Sequence, residues 1–272
     1  MTSSSATPSS ATHGWIDAHV HVWPGGEAAP FTPQDLLSHA KPVGVTRIVL
    51  IQAGGFGFDN SYMLRAIAEH PGVFSGVAVV DSTAATVEDE MRRQKKQGVR
   101  GFRITPGKDP AGWLDTPGMT AMWKRAARER MAMCPLVNPD ALAAIDRACV
   151  RHPDTRVVID HIARIGATGT IRDEDVRALC ALARHKHVFV KLSAFYALGK
   201  KTYPYLDLAP MIRQVYETFG PRRLMWATDA PYQTMNGHTY AGSLELIRDR
   251  LGFIRGEDRD WVLTKTASSV FF

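Results

Sequence analysis

The segment Trp15-Ile16-Asp17-Ala18-His19-Val20-His21 decides the reading of this chain. It is a short, mostly apolar run that closes on two histidines one residue apart. Two later runs also close on polar side chains: Val157-Val158-Ile159-Asp160-His161 and Met225-Trp226-Ala227-Thr228-Asp229. In folds built on parallel strands the active site lies at the carboxyl ends of the strands, so these are the first residues to ask about chemistry. Strict alternation along the first run predicts Asp17, His19 and His21 on one face, with Ala18 and Val20 on the other, toward the helices.

Working outward, the same kind of run recurs eight times: Trp15–His21, Arg47–Gln52, Phe74–Val80, Gly101–Thr105, Ala132–Val137, Arg156–His161, Val188–Ser193 and Leu224–Asp229. Stretches with helix punctuation lie between them. Thr32-Pro33 reads as an N-cap with proline in the first turn. Thr86 opens an acidic first turn, and Gly98 follows the basic last turn Lys95-Lys96. Residues 140–151, 173–183, 208–219 and 243–251 carry apolar side chains at three- and four-residue steps, and 258–266 reads as a closing helix. Eight β/α repeats in one chain of 272 residues predict a single-domain (β/α)₈ TIM barrel over residues 14–272. An open doubly wound sheet is the architectural alternative. Residues 1–13, small and polar, are expected to form a disordered tail.

Composition narrows the function. The formal charge is +6, but the basic residues are scattered at helical spacing beside acids, as in Glu88-Asp89-Glu90-Met91-Arg92-Arg93. That is the pattern of a solvated helix face, so no nucleic-acid partner is expected. A basic balance suits an anionic small-molecule substrate. No apolar run approaches the ~20 residues of a membrane span, and no secretory signal follows Met1, so neither a membrane partner nor export is expected. Three cysteines, Cys134, Cys149 and Cys180, leave one unpaired in any disulfide scheme and lack metal-type spacing; they read as buried thiols of a cytoplasmic protein. The oligomeric state stays open.

With ten histidines a His-x-His pair arises readily by chance, and His185-Lys186-His187 supplies a control: it precedes the seventh run, at the end of a barrel where no chemistry is expected. His19 and His21 instead close a strand, as His161 and Asp229 do. Together with Val190-Lys191-Leu192-Ser193 and the continuation Asp229-Ala230-Pro231, these segments resemble the amidohydrolase-related family, in the branch holding sugar-acid lactonases and 2-pyrone-4,6-dicarboxylate lactonase. The likeness runs from about Gly14 to the C-terminus.

The resemblance implies a hydrolase acting on a small carboxylated lactone. Asp229 would be the general base on water, while His19, His21 and His161 stabilise the oxyanion. Many family members carry further metal ligands on the fourth and fifth strands, where this chain has Arg103 and Pro135-Leu136-Val137-Asn138. A binuclear centre is therefore not expected. The remaining ligands suit either no metal or one divalent ion such as zinc, held by His19, His21 and Asp229 with His161 as a fourth candidate. Arg103 and Arg164 are candidate clamps for a substrate carboxylate, Tyr196 and Tyr232 candidate phenol donors, and Trp113 and His238 candidate lid residues. Lys191 shares a strand face with Ser193 and needs a buried partner, for which Asp17 is the expected carboxylate. Gly54-Gly55-Phe56-Gly57 is read as a flexible loop over the pocket. Two other readings compete: a metal-dependent decarboxylase of the same superfamily, and a non-catalytic binding protein on the same barrel.

Overall fold

Apolar side chains on both faces suit a strand covered on both sides, and all eight runs form such strands in the computed structural model, which describes residues 14–26, 29–107 and 109–272. The tail expected over residues 1–13 lies outside these described residues. The strands are β1 (Trp15–Val20), β2 (Val45–Ile51), β3 (Phe74–Ala78), β4 (Val99–Ile104), β5 (Ala132–Pro135), β6 (Arg156–Ile159), β7 (Val188–Leu192) and β8 (Leu224–Trp226). They pair in chain order, each parallel to the next. The fold is the expected (β/α)₈ barrel.

Closure falls at the site. Between β8 and β1 there is a bridge, Val20 to Ala230, rather than a full ladder. Two backbone bonds complete it: Asp229 N–H donates to His19 O at 2.9 Å, and His21 N–H donates to Ala230 O at 2.8 Å. Asp17 clasps the same seam from outside, accepting from the His19 and Thr228 amides and from the Thr228 and Tyr240 hydroxyls.

The interior is filled by Ile16, Ala18, Val49, Ile51, Val77, Ala132, Cys134, Val158, Met225 and Ala227, and Ala267, Val270 and Phe271 plug its floor. Burial pushes the Cys134 thiol up to about 12, so it stays protonated and is no nucleophile. The opposite strand faces pack under the helices α1 (Pro33–Ala40), α2 (Ser61–Glu69), α3 (Val87–Lys96), α4 (Pro117–Glu129), α5 (Leu142–Arg151), α6 (Asp173–Ala181), α7 (Ala209–Phe219) and α8 (Tyr240–Glu245). The α1 start is a capping box: Thr32 Oγ accepts from Asp35 N–H, and the Asp35 carboxylate accepts from Thr32 N–H. The closing helical segment runs from Glu257 to Phe271, beyond the expected end at 266.

The prediction that Asp17 shares a face with His19 and His21 is overturned. Asp17 pairs with Ile48 of β2 while Val20 pairs with Leu50, so β1 spends three steps where β2 spends two. This bulge reverses the alternation. Ala18 consequently faces the barrel interior, Val20 faces the helices, and Asp17 points outward to Tyr240 of α8. Lys191 pairs with Asp160 rather than with the expected Asp17. No described helix is long and apolar enough to cross a membrane.

Candidate active site

Where the strands end, the backbone turns sharply. β6 stops at Ile159 and β8 at Trp226, short of the histidine and aspartate expected to close them. His161 (φ 54°) and Asp229 (φ 70°) both take left-handed backbone, which L-residues adopt at a cost. Those turns carry the side chains over the barrel mouth. His19, His21, His161 and Asp229 meet there, all buried.

Asp229 is the hub. Its Oδ1 lies 3.4 Å from His19 Nε2, 3.3 Å from His21 Nε2 and 3.9 Å from His161 Nε2. Its Oδ2 accepts from Tyr196 O–H at 2.7 Å. Burial alone would raise this carboxyl, but His161, His21 and His19 outweigh it and hold Asp229 well below the usual carboxylate range. Asp229 is therefore ionised at any working pH. Burial, followed by the Lys191 charge, pushes His19 far down, and burial lowers His161.

Each ring is held from behind. His21 Nδ1–H donates to Ile51 O at 2.9 Å, which in the neutral ring leaves Nε2 as the lone pair. His161 Nδ1 lies 2.8 Å from Ser193 Oγ. His19 Nδ1 faces Lys191 Nζ at 3.2 Å and Asp160 Oδ1 at 3.3 Å.

His19 Nε2, His21 Nε2 and Asp229 Oδ1 form a nearly equilateral triangle, with sides of 3.3, 3.3 and 3.4 Å. Ligands about 2.0–2.1 Å from a tetrahedral zinc ion stand about 3.3–3.4 Å apart. The three residues are thus a set able to hold one divalent ion.

A cavity of about 480 Å³ opens above this floor, lined by His21, Arg103, His161, Arg164, Tyr196, Lys201, Asp229 and Tyr232, with Gly54 on its edge. Arg103 is nearly buried and reaches to 3.7 Å from Asp160 Oδ2, with its Nε unpaired. It serves both the ion pair and the pocket wall. The Tyr232 ring stands edge-on to His21 and beside Tyr196. Of the two expected lid residues, His238 accompanies Tyr196 and bonds Tyr205 O–H and Trp113 is buried, and neither is among the lining residues. His185 pairs with Asp146 at the barrel's other end, as the control predicted.

Sequence reading missed Asp160 and Lys201. Asp160 had a signal: it is an acid inside an apolar run, beside His161. Lys201 had none, since a lysine in a loop carries no mark of where that loop folds.

The amidohydrolase family model matches residues 16–272. L-Fucono-1,5-lactonase of Burkholderia ambifaria is 29% identical over 240 residues, covering 82% of each chain. A 4-sulfomuconolactone hydrolase of Rhizobium radiobacter is 28% identical over 235 residues, covering 80% of this chain and 76% of that protein. Among solved structures, a probable 2-pyrone-4,6-dicarboxylic acid hydrolase of Acinetobacter baumannii superposes with a TM-score of 0.80 at 24% identity, covering 95% of this chain and 99% of that one.

Proposed function

The chain belongs to the amidohydrolase family, and from that premise we propose that it hydrolyses a small lactone bearing at least one carboxylate. One observation carries this reading: a buried, ionised Asp229 lies between three imidazoles and a phenol, under a cavity rimmed by Arg103, Arg164 and Lys201. Names among its relatives, two of them lactone hydrolases, support the substrate class.

Arg103 and Arg164 orient the substrate carboxylate, since a guanidinium fork matches it in two parallel bonds. The lactone carbonyl then lies over the imidazoles. Water adds to the carbonyl carbon as Asp229 takes its proton. A carboxylate held so low is a modest base while the Tyr196 hydroxyl and the imidazoles face it. As an N–H of His19 or His161 turns from Asp229 Oδ1 to the developing oxyanion, the carboxylate becomes more basic as the water proton is released; His21, whose N–H is held by Ile51 O, does not donate. The ring C–O bond breaks, and the leaving alkoxide recovers that proton to give a hydroxy acid. Tyr196 keeps Oδ2 fixed, and Tyr232 packs the open side. A divalent ion such as zinc held by His19, His21 and Asp229, with His161 as a fourth candidate, would supply Lewis-acid polarisation of the carbonyl.

The test is a pH-indicator screen of carboxylated lactones against the same lactones as methyl esters. Turnover of an acid, with its ester at least about tenfold poorer in kcat/KM, is expected from loss of a charge-assisted clamp. Failure of every carboxylated lactone, or equal turnover of acid and ester, overturns the proposal.

A further inference from the structure

His19 has two ring nitrogens, and a neutral imidazole binds a metal only through the one without a proton. Its Nε2 faces His21 and Asp229. Its Nδ1 faces a fully buried ion pair: Lys191 Nζ at 3.2 Å and Asp160 Oδ1 at 3.3 Å, with Lys191 and Asp160 themselves 2.9 Å apart. These two partners make opposite demands. An ammonium only donates, so a bond from Lys191 needs Nδ1 as acceptor and puts the ring proton on Nε2. A carboxylate only accepts, so a bond to Asp160 needs the proton on Nδ1 and leaves Nε2 bare.

The geometry favours the ammonium. Lys191 Nζ is in hydrogen-bond geometry with His19 Nδ1 at 3.2 Å, whereas Asp160 Oδ1, 3.3 Å from the ring, is more closely engaged by Lys191 Nζ itself at 2.9 Å. The far side of the ring agrees. His21 Nε2 is a lone pair because Nδ1–H goes to Ile51 O, and it stands 3.3 Å from His19 Nε2. Asp229 Oδ1, an anion, is 3.4 Å away. A proton on His19 Nε2 gives that triangle one donor facing two acceptors; without it, lone pairs face one another. The Phe271 ring on the barrel floor lies 5.4 Å from Lys191 Nζ and favours a charge there.

We propose that Lys191 is a positioning residue that holds His19 as the Nε2–H tautomer, so that a proton fills the His19–His21–Asp229 triangle and the site's hold on a divalent metal ion is weakened. Metal-bound imidazoles ordinarily donate their other N–H to a carboxylate behind them. Asp160 is placed for that duty, and Lys191 takes it out of use. The inference concerns a ring proton and a metal affinity, and it stands or falls independently of whether the substrate is a lactone.

The first test uses metal-free wild-type protein labelled with ¹⁵N-histidine, read by two-bond ¹H–¹⁵N correlation at neutral pH, with His19→Gln to assign the signal. His19 is expected to carry its proton on Nε2; a proton on Nδ1 overturns the proposal. The second is titration with zinc alone, in competition with a chromophoric chelator. Folded Lys191→Met is expected to bind at least about tenfold tighter than wild type, the scale on which groups behind a ligand move metal affinity. The gain should vanish in Lys191→Met/His19→Gln, while Lys191→Arg, still a donor-only cation, stays weak. Equal or weaker zinc binding by Lys191→Met overturns the proposal. If stranding Asp160 prevents that variant from folding, the wild-type tautomer decides alone.

Discussion

Tyr196 and Asp17 show how single groups tune the site from opposite sides. Tyr196 O–H fixes Asp229 Oδ2, and burial and the Asp229 charge push the phenol far up, so it remains a donor at any working pH. Tyr196→Phe is expected to lower kcat roughly tenfold with KM within about twofold, as suits one hydrogen bond to a charged group; steady-state kinetics on the lactone checks it. Asp17 keeps four hydrogen bonds, yet burial pushes its carboxyl from 3.8 up to about 6. Its folded pKa thus exceeds its unfolded one, so the folded state holds the proton more tightly. The stability this lends is complete below about 4, declines as pH rises to about 6 and is gone above that. The gap corresponds to ~3 kcal/mol. Chemical denaturation should show the stability of wild type relative to Asp17→Asn falling between pH 4 and 7 by up to that amount, as an order of magnitude. A flat difference would contradict the assignment.

Elements decide what sequence reading can and cannot see. The eight strands were legible because each is a short, mostly apolar run bounded by turn or helix signals. The α1 cap was legible because Thr32 and Pro33 carry their own geometry, while Asp35, which completes the capping box, was not read. The bulge in β1 was not: an extra residue depends on the register against β2, which Asp17-Ala18-His19 does not encode locally. Nor were the left-handed turns at His161 and Asp229, since nothing but the surrounding packing holds those residues there. Helices α2 and α4 went unassigned, although α4 has Thr116 and Pro117 at its start and buries Met122, Trp123 and Ala126. Of the site, the residues that close runs could be read, while the partners behind them, such as Asp160 for Lys191, came from the fold. The α4 start carries a sharp prediction. A Cβ on Gly118 would lie 1.7 Å from Ser82 O, which is backbone and cannot swing away. Gly118→Ala, ordinarily a gain in a helix, should instead cost more than ~1 kcal/mol by denaturant unfolding. A stabilised variant would show that the β3–α3 loop at Ser82 gives way to the start of α4.

Taken whole, the molecule is a basic barrel whose seam, β8 against β1, runs through its reactive end. Strand closure and site assembly are therefore one event: the bonds that join His19 O to Asp229 N–H also bring the imidazole and the carboxylate together. The formal charge of +6 and the Arg103, Arg164 and Lys201 rim predict electrostatic capture of an anionic substrate. KM for a carboxylated lactone should rise several-fold between about 20 and 200 mM salt while kcat holds, because screening shortens the reach of exposed charges. The convergence of three imidazoles on Asp229 is tested most directly by kcat/KM of Asp229→Asn, in protein shown by circular dichroism to be folded. Loss of roughly 10²–10⁴-fold, the scale of general-base catalysis, is the result expected here; hydrolysis within about threefold of wild type would contradict it.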